Sequence, residues 1–419
     1  MNAWTLTFKS LSNRKLSVCL TIASIALGIF LLIGVERIRN ITRQGFEGTI
    51  SQTDLIVGAR GSPLQILLYS VFHIGNPLNN VRYSSFEKYN EDPEVKWAVP
   101  ISLGDSHRGF RVVGTNTSFF ENIKTGSKQK LKFQNNGRPF ASLFEVVIGA
   151  DVAARLNYSL GKRLLLTHGV DVTNSFQHEN APFEVVGILE RTGTPFDKAL
   201  FVSLGAIEAI HAGWESGAPK GAVLSADELK EKKWQPEQIT AFFIGLKSRL
   251  SVFSLQNKIN NDDIEPLTAL MPGIALRDLW TTLGKAEIAF RILGFLVLVT
   301  NLLTLLLLLL SSLQERRREM AIYRALGAGP FFMGKLLLYE SLLLTLMGVF
   351  FGLVTLAMAF YVFQTPLEQS LGFQIPILSL SFTEGIYLLA VLMGAFCTAL
   401  IPAVISYKQS LSDGLVVRV

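Results

Sequence analysis

Histidines are the residues of this chain that could most readily bind a metal ion, because neutral imidazole is a common metal ligand. The five histidines are His73, His107, His168, His178 and His211. All of them lie in the long mixed segment between the first two apolar segments, and no two are spaced as in a short metal-binding motif. The pattern therefore indicates surface or structural histidines and no metal site. His73 is the first candidate ligand should a metal be bound, because it begins the turn-forming sequence HIGNP.

Sequence motifs for nucleotide hydrolysis and for common hydrolases are missing from the chain. The Gly-Lys pairs that begin at Gly161 and Gly284 are followed by Arg163 and Ala286, and neither has the upstream glycine that a P-loop requires. The third pair, which begins at Gly334, is followed by Leu336 where a P-loop has Ser or Thr. No HExxH, CxxC or GxSxG sequence occurs, so metalloprotease, dithiol and nucleophile-elbow chemistry are not indicated. We therefore predict a protein that is not an enzyme, has no ATPase site of its own and binds no cofactor itself.

A charged segment at 314–335, between two apolar segments, is another place where function could reside. Arg316, Arg317 and Arg318 follow the uncharged run Ile292–Leu313 after only two residues, Gln314 and Glu315. Basic residues at the end of a membrane helix are typical of its cytoplasmic side. The segment is therefore predicted to be a short cytosolic connector. It could be a basic loop that only orients two helices, or an element that binds a partner.

Apolar and charged residues alternate inside this connector in a way that favours a short amphipathic helix. Met320 and Tyr323 interleave with Glu319 and Arg324, and Gly327 is expected to end the helix. An amphipathic helix at a membrane surface can lie among the lipid headgroups or dock onto a protein beneath them.

The connector also resembles the permease signature of a known family. Its basic residues are followed by Glu-Met-Ala-Ile, then by Arg-Ala-Leu-Gly-Ala and, in the next apolar segment, by Glu340. This order is similar to that of the MacB/FtsX/LolC group of ABC systems (type VII, mechanotransmission). In that family the connector is a coupling helix that fits a groove on a separate ATPase subunit, which binds the ATP and Mg²⁺. The resemblance implies ATPase-coupling roles for Arg316, Glu319, Met320, Tyr323, Arg324, Leu326 and Gly327.

Two other stretches resemble the same family. The sequence LIVGARGSPLQ, followed by HIGNP, is similar to a subgroup of MacB-type permeases, and VVIGADVAARLNYSLGKRLLLTHG resembles part of their extracytoplasmic core domain. The resemblance implies an α-helical membrane domain with four transmembrane helices plus a large α+β extracytoplasmic domain of MacB-like core type. It also implies two subdomains outside the membrane, with an insertion at roughly 115–235.

Composition independently indicates a membrane protein. The chain has 419 residues, 49% of them apolar, and a mean hydropathy of +0.36. Runs long enough to cross the ~30 Å hydrocarbon layer occur at Leu16–Val35, Ile288–Leu313, Leu336–Phe363 and Ile386–Ile405. Gly28, Gly348 and Gly352 within these runs are small enough to permit close helix packing in lipid.

The distribution of charge predicts the orientation. The N-terminus, the connector and the tail after Ile405 together hold ten basic and three acidic residues, a charge of +7 in a chain whose net charge is +6. The loop 364–385 has no Lys or Arg. The positive-inside rule then places both termini in the cytosol and the long 37–287 segment on the other side of the membrane. The family resemblance implies that this membrane is the bacterial inner membrane, that the protein is multi-pass and that the long segment is periplasmic. The basic pI of 9.2 is explained by this topology, so no nucleic-acid partner is expected.

The chain is predicted to be organised in nine parts. These are a cytosolic interfacial helix (1–15), a first transmembrane helix and stalk (16–50), a periplasmic domain (51–275), a stalk and second transmembrane helix (276–313), the cytosolic coupling connector (314–335), a third transmembrane helix (336–363), a short periplasmic loop (364–385), a fourth transmembrane helix (386–405) and a cytosolic tail (406–419). The first apolar run, Leu16–Val35, is interpreted as an uncleaved transmembrane helix. The alternative is a cleavable signal peptide, because signal peptides also have a basic start before an apolar run. Both cysteines, Cys19 and Cys397, fall in apolar runs, so no disulfide is expected in the periplasmic domain.

Within the periplasmic domain the sequence predicts alternating short strands and helices. The clearest predicted β pair is 183–190 with 199–205, joined by a turn containing Gly193 and Pro195. Helices are predicted at about 64–72 and 150–156, and 216–236 is predicted to be a loop. A continuous helix over 276–313 would be about 57 Å long, nearly twice the hydrocarbon thickness, so part of it should stand outside the membrane as a stalk.

Two functions fit this organisation. The first is a transmembrane permease subunit that couples ATP hydrolysis by a separate ABC ATPase to movement of periplasmic domains acting on an envelope substrate such as a lipoprotein, peptide or small molecule. Its expected partners are the ATPase, a second copy or paralogue of the permease, the lipid membrane, and a periplasmic adaptor or client protein. The alternative is a non-transporting regulator of a periplasmic hydrolase, or a ligand sensor, built on the same architecture.

Overall fold

The computed structural model describes residues 15–49, 53–125, 129–169, 181–212, 226–315, 329–371 and 381–412. The chain divides into two compact units. The first, here called the membrane unit, comprises 1–41, 283–366 and 375–419. The second, here called the sheet domain, comprises 42–282 and 367–374.

The described helices are α1 (Lys15–Thr49), α2 (Pro63–Phe72), α3 (Tyr83–Asn90), α4 (Ser118–Asn122), α5 (Ala150–Leu156), α6 (Leu204–Ile210), α7 (Ala226–Glu231), α8 (Val252–Asn260), α9 (Pro272–Glu315), α10 (Pro330–Leu371) and α11 (Phe382–Ser412). The described strands are β1 (Leu55–Ala59), β2 (Val81–Arg82), β3 (Val95–His107), β4 (Phe110–Thr115), β5 (Lys124–Thr125), β6 (Gln129–Lys130), β7 (Glu145–Ile148), β8 (Arg163–Leu164), β9 (Thr167–His168), β10 (Phe183–Ile188), β11 (Ala199–Ser203), β12 (Gln238–Ile239), β13 (Ala241–Leu246) and β14 (Leu267–Leu270).

Four helices are long and apolar enough to cross a membrane, which confirms the four predicted spans. The candidate spans are Lys15–Ile41, Ile288–Leu313, Gly334–Gln364 and Phe382–Lys408. A helix satisfies all of its internal backbone hydrogen bonds within one segment, so an apolar run of this length is stable in lipid only as a helix or in a closed barrel. The predicted continuous helix over 276–313 is also confirmed, because α9 contains all of it.

The membrane unit has its own small buried core. Leu305 and Leu309 of α9, Leu344 of α10, and Ala395 and Ala399 of α11 pack together and are almost fully buried. Alanines on α11 allow the larger leucines of its neighbours to approach closely, which is how membrane helices gain packing contacts where lipid is as apolar as the side chains.

The sheet domain is built on one mixed ten-stranded sheet, and this confirms the predicted α+β class. The strand order is β14-β1-β13-β3-β4-β11-β7-β10-β8, and β9 pairs with β3. The long strand β3 lies between two halves of the sheet, β14-β1-β13 on one side and β4-β11-β7-β10-β8 on the other, and belongs to both. Its first half pairs with β13, from Val95 to Ile101, and its second half pairs with β4, from Ser102 to His107.

Aromatic packing forms the centre of the sheet domain's largest core. The rings of Phe119 and Phe201 lie with centroids 4.9 Å apart, and Phe120 and Phe196 make edge contacts with the same group. The start of α9 packs against this core through Leu276, which is buried. Aromatic pairs in such edge and tilted arrangements contribute about 0.5–1.5 kcal/mol beyond the burial of their surface.

The predicted pairing of 183–190 with 199–205 is wrong. Both segments are strands, β10 and β11, but β7 lies between them in the sheet. It pairs in parallel with β10 and antiparallel with β11. The connecting residues therefore cross over β7. They are held by the buried carboxylate of Asp197, which accepts hydrogen bonds from the backbone N–H groups of Thr192 and Gly193.

Other element predictions have mixed outcomes. The predicted helices at about 64–72 and 150–156 are confirmed by α2 and α5. The predicted loop at 216–236 is wrong over 226–231, where α7 forms and buries Leu229 in the sheet domain's second core. Residues 216–225 of that prediction lie outside the described residues. The loop prediction rested on the high content of Gly, Lys and Glu, and the burial of Leu229 could not be read from composition.

Candidate functional site

The residues predicted to couple to an ATPase lie outside the described residues. They are Arg316, Glu319, Met320, Tyr323, Arg324, Leu326 and Gly327, all between Glu315, where α9 ends, and Gly329. Their roles remain predictions.

Gly28 of α1 lies against Asn301 of α9. A Cβ atom added at Gly28 would lie 1.8 Å from Nδ2 of Asn301, which is far too close for any real contact. One turn away, the hydroxyl of Ser24 donates a hydrogen bond to Oδ1 of Asn301 at 3.1 Å. A polar side chain in the membrane needs such a partner. Glycine at position 28 therefore gives the Asn301 amide the space to reach α1.

Gly348 and Gly352 on α10 both face α1. A Cβ atom added at Gly348 would lie 2.5 Å from Cγ2 of Ile25, and one added at Gly352 would lie 2.8 Å from the backbone oxygen of Ala26. This spacing of four residues places both glycines on one helix face. Within the described residues, that face is therefore occupied by a helix of the same chain.

Arg37 of α1 and Glu384 of α11 form a buried ion pair in the membrane unit. Nε of Arg37 donates to Oε1 of Glu384 at 3.1 Å and Nη2 donates to Oε2 at 2.9 Å. The guanidinium also lies over the ring of Phe360 on α10, 5.8 Å from its centroid. The backbone N–H of Ser381 donates to Glu384 at 3.3 Å, so the same carboxylate caps the start of α11. Sequence reasoning missed this pair because both residues fall just outside the predicted apolar runs.

In the sheet domain, three potential metal ligands converge on one point. Among the residues that the structure describes, Asp105, His168 and His211 form the group whose ligand atoms all lie within 4.8 Å of one another. Oδ1 of Asp105 is 3.3 Å from Nδ1 of His168 and 3.3 Å from Nε2 of His211, and these two ring nitrogens are 2.9 Å apart. The carboxylate is buried, whereas the imidazole of His168 is exposed.

The charge of Asp105 alters the protonation of one of these histidines. Burial lowers the pKa of His211, but this effect is outweighed by the hydrogen bond and charge of Asp105, together with the backbone carbonyl of Ile207 and the charge of Glu208. The net result is that the pKa of His211 is raised above its ordinary value of 6.5. The site thus attracts positive charge.

The structure places the other histidines elsewhere. His73, the first candidate in the sequence, caps the C-terminal end of α2 in a left-handed conformation, and burial together with the charge of Arg111 lowers its pKa to about 4. His107 is a structural histidine, because its two ring nitrogens bond the backbone oxygen of Leu165 and the hydroxyl of Tyr158. His178 lies outside the described residues.

No local spacing could have revealed the three-residue cluster. Asp105 and His168 are 63 residues apart in the chain, and His168 and His211 are 43 apart. The cluster forms because β9 pairs with β3, which sets His168 opposite Asp105, and because α6 ends beside them. The local sequence around these residues contains only a weak indication of the site. His168 ends a β-type run just before Gly169, and His211 ends a helix.

Comparisons with known protein families match both parts of the chain. The family model of the MacB-like periplasmic core domain matches residues 18–260, more than half of the chain, and that of the FtsX-like permease C-terminal region matches residues 291–412. The chain belongs to the MacB/FtsX-type permease family. Among curated proteins no significant match is found.

Two solved structures are similar to the extracytoplasmic part of this MacB/FtsX-type permease at low identity. One is the periplasmic region of MacB from Actinobacillus actinomycetemcomitans, at 12% identity, covering 56% of this chain and 94% of that one, with a TM-score of 0.35. The other is the extracellular domain of the noncanonic ABC-type transporter YknZ from Gram-positive bacteria, at 13% identity, covering 52% and 99%, with a TM-score of 0.30. Both scores are below 0.5, and the family assignment rests on the two family models.

Membership of this permease family establishes the general kind of protein. MacB/FtsX-type permeases are membrane components of ABC transporters and work with ABC ATPase partners. This permease has four helices that can cross a membrane and an extracytoplasmic domain of MacB-like core type.

Proposed function

We propose that this permease couples ATP hydrolysis by a separate ATPase subunit to movements of its periplasmic domain, which act on an envelope substrate such as a lipoprotein, a peptide or a small molecule. The observation that carries the proposal is the match of the FtsX-like permease model to 291–412, because that range contains the charged connector and the spans on either side of it. We further propose that two such subunits pair, as copies or paralogues, and that two ATPase subunits bind their connectors.

In this proposal α9 is the element that transmits movement. Leu276, near its start, packs in the core of the sheet domain, and Leu309, near its end, packs in the core of the membrane unit. A helix is stiff along its axis because every internal N–H and C=O group is bonded within it. Displacement of the connector, which directly follows α9 in the chain, would therefore be carried along the helix and not absorbed in a loop.

The connector would bind its ATPase mainly through shape. Exposed ion pairs contribute only about 0–1 kcal/mol each, so pairing of Glu319 and Arg324 with opposite charges would orient the helix more than it would hold it. Burial of Met320, Tyr323 and Leu326 in a groove would supply most of the free energy of binding, at about 25 cal/mol per Å² of apolar surface.

The orientation in the proposal follows from charge. The three segments assigned to the cytosol carry +7, and the 364–385 loop carries no Lys or Arg. We therefore propose that this is a protein of the bacterial inner membrane with both termini in the cytosol. The sheet domain would then face the periplasm, where it would meet its client or an adaptor.

Substitution of Arg324 tests the coupling. Arg324→Glu, co-expressed with the cognate ATPase, should reduce copurification of the ATPase and remove the change in ATPase rate that the wild-type permease causes. The matched control is Arg249→Glu, which makes the same charge change at a side chain that is 85% exposed in the sheet domain. It should assemble and stimulate as the wild type does.

Two outcomes would contradict the proposal. If Arg324→Glu copurifies with the ATPase and leaves its rate unchanged, the connector is not the coupling element. If Arg249→Glu is as defective as Arg324→Glu, the effect reflects a general change in charge and not a site. Equal membrane levels of the two variants, measured by immunoblot, exclude a loss of folding as the explanation.

A further inference from the structure

We propose that Asp105, His168 and His211 form a binding site for a divalent transition-metal ion of the zinc class in the sheet domain. Each residue contributes one ligand atom, and these three atoms are separated by 3.3, 3.3 and 2.9 Å. The proposal does not depend on the ATPase coupling proposed above, because all three residues belong to the sheet domain and none to the connector.

The distances match the edges of a metal coordination polyhedron. With Zn–N and Zn–O bonds of about 2.0–2.1 Å, neighbouring ligand atoms are about 3.3 Å apart in a tetrahedron and about 2.9 Å apart in an octahedron. An ion about 2.05 Å from Oδ1 of Asp105, Nδ1 of His168 and Nε2 of His211 would lie about 0.9 Å out of the plane of these three atoms. The three residues could therefore bind an ion without moving apart.

The fold holds two of the ligands in place before any metal arrives. Asp105 and His168 are directly opposite each other in the antiparallel pair formed by β3 and β9. The pairing of β3 with β9 is stabilised at the neighbouring residues, where a hydrogen bond of 3.1 Å joins Oγ of Ser106 to Oγ1 of Thr167. The backbone N–H of Gly169 donates to Gly104 at 3.2 Å and closes the pair. A preformed site loses less entropy on binding its ion.

The third ligand is set by a helix end. Helix α6 begins at a capped position, where Oγ of Ser203 accepts a hydrogen bond from the backbone N–H of Ala206. Ala209 and Ile210 of the same helix are buried in the core of the sheet domain. His211 follows directly, so its backbone is anchored, and its ring is turned towards Asp105. Three separate elements thus supply one ligand each.

The donor set selects the class of metal. Ca²⁺ and Mg²⁺ prefer six or more oxygen ligands, whereas two imidazoles and one carboxylate suit zinc and its neighbours among the divalent transition metals. Asp105 is only 1% exposed, so its negative charge gains strongly from a cation beside it. His168 is 45% exposed, so one side of the site is open to water. An open position is typical of zinc sites that exchange or that bind a further ligand.

Binding of zinc is measured on the full chain, purified in detergent without a polyhistidine tag and stripped with a chelator. Titration with Zn²⁺ by calorimetry should reveal one saturable site per chain. Titration with Co²⁺ should give the visible absorption of a four- or five-coordinate ion. Asp105→Asn, His168→Asn and His211→Asn should each weaken binding by about tenfold or more, because the first removes the negative charge of the carboxylate and the other two each remove an imidazole ligand.

The matched control is His73→Asn. It removes an imidazole from the same domain, and asparagine tolerates the left-handed backbone of this position, where φ is 57°. This variant should bind Zn²⁺ with the affinity of the wild type. The coupling variant Arg324→Glu should do so as well, so a failure of the metal site and a failure of the ATPase coupling are separate results.

The competing interpretation is a hydrogen-bonded cluster without a metal, since a 2.9 Å distance between two ring nitrogens also fits a shared proton. In that case the wild type shows no saturable one-to-one binding, or His168→Asn and His211→Asn bind as well as the wild type does. Either result overturns the proposal. Thermal unfolding shows whether each variant is folded. Zn²⁺ should raise the midpoint temperature of unfolding of the wild type and of His73→Asn, but not that of folded His168→Asn.

Discussion

The guanidinium of Arg37 makes two hydrogen bonds to the carboxylate of Glu384, at 3.1 and 2.9 Å, and both side chains are buried. The pair joins α1 to α11 in the membrane unit. Removing one partner leaves the other charge buried, which typically costs about 3–5 kcal/mol, whereas replacing both by apolar residues of similar volume is often close to neutral.

Arg37→Met and Glu384→Leu should therefore each lower the stability of the purified permease strongly, by about 3–5 kcal/mol, and the double variant should recover most of the loss. The measurement is the fraction that stays monodisperse in detergent after heating. If the double variant is as unstable as the sum of the two single ones, the two residues do not act as a pair. Glu384→Gln distinguishes the two roles of this residue. It removes the charge that pairs with Arg37, but its amide oxygen can still accept the capping hydrogen bond from the backbone N–H of Ser381.

Gly28→Ala should disturb the contact between α1 and α9. The added methyl group would occupy the position of the Asn301 amide, 1.8 Å from Nδ2, so the amide must move and its hydrogen bond with Ser24 is lost. Overpacking of this kind costs about 1–3 kcal/mol. The control is Gly284→Ala, also in a helix, where no described atom lies within 4 Å of the added methyl group. Comparable loss of heat stability in both variants would show that the effect is not local.

Cysteine labelling should place the connector and the sheet domain on opposite sides of the membrane. Both native cysteines, Cys19 and Cys397, are first replaced by alanine. Leu250→Cys, at a side chain that is 92% exposed, should react with an impermeant maleimide once the outer membrane is opened. Ala328→Cys in the connector should react only after the inner membrane is disrupted. Labelling of both positions from the same side would refute the proposed topology.

Acid should weaken the sheet domain through Glu145. Hydrogen bonds from Arg138 lower its pKa most, burial opposes them, and the backbone N–H groups of Ala141 and Ser142 lower the pKa further, to about 2. Because the folded pKa lies below the ordinary value of 4.5, this stabilisation is complete above that pH and is lost as the pH falls towards 2. Thermal unfolding followed by tryptophan fluorescence should show a smaller loss over this range for Glu145→Gln. Glu121→Gln, at an exposed residue of α4, should keep the wild-type slope.

The spans of this permease could be predicted from sequence because the signal is local. An apolar run of about 20 residues has few structural choices in lipid, and the sequence predicts Ile288–Leu313 with the same bounds that the structure gives. The helix over 150–156 was also predicted correctly from its own residues. In each case the information lies within one segment.

Pairings between distant segments could not be predicted in this way. β10 and β11 are neighbours in sequence, yet β7 separates them, because only the packing of the whole sheet decides the order. The ion pair between Arg37 and Glu384 joins residues 347 positions apart. The histidine cluster likewise depends on the pairing of β9 with β3. Because β9 has only two residues, it has no periodic pattern that could be detected in the sequence.

Strand β3 gives the sheet domain a mechanical property of its own. Because thirteen consecutive residues, Val95–His107, run through both halves of the sheet, a pull on one half reaches the other through covalent bonds and not only through hydrogen bonds. Shearing the halves apart would require the backbone itself to bend. The register of β3 with β4 is irregular between Leu103 and Ser106, and Asp105 lies within this interval. A metal ion bound to Asp105 and His168 would cross-link β3 to β9 at this irregularity and restrict bending of β3 there.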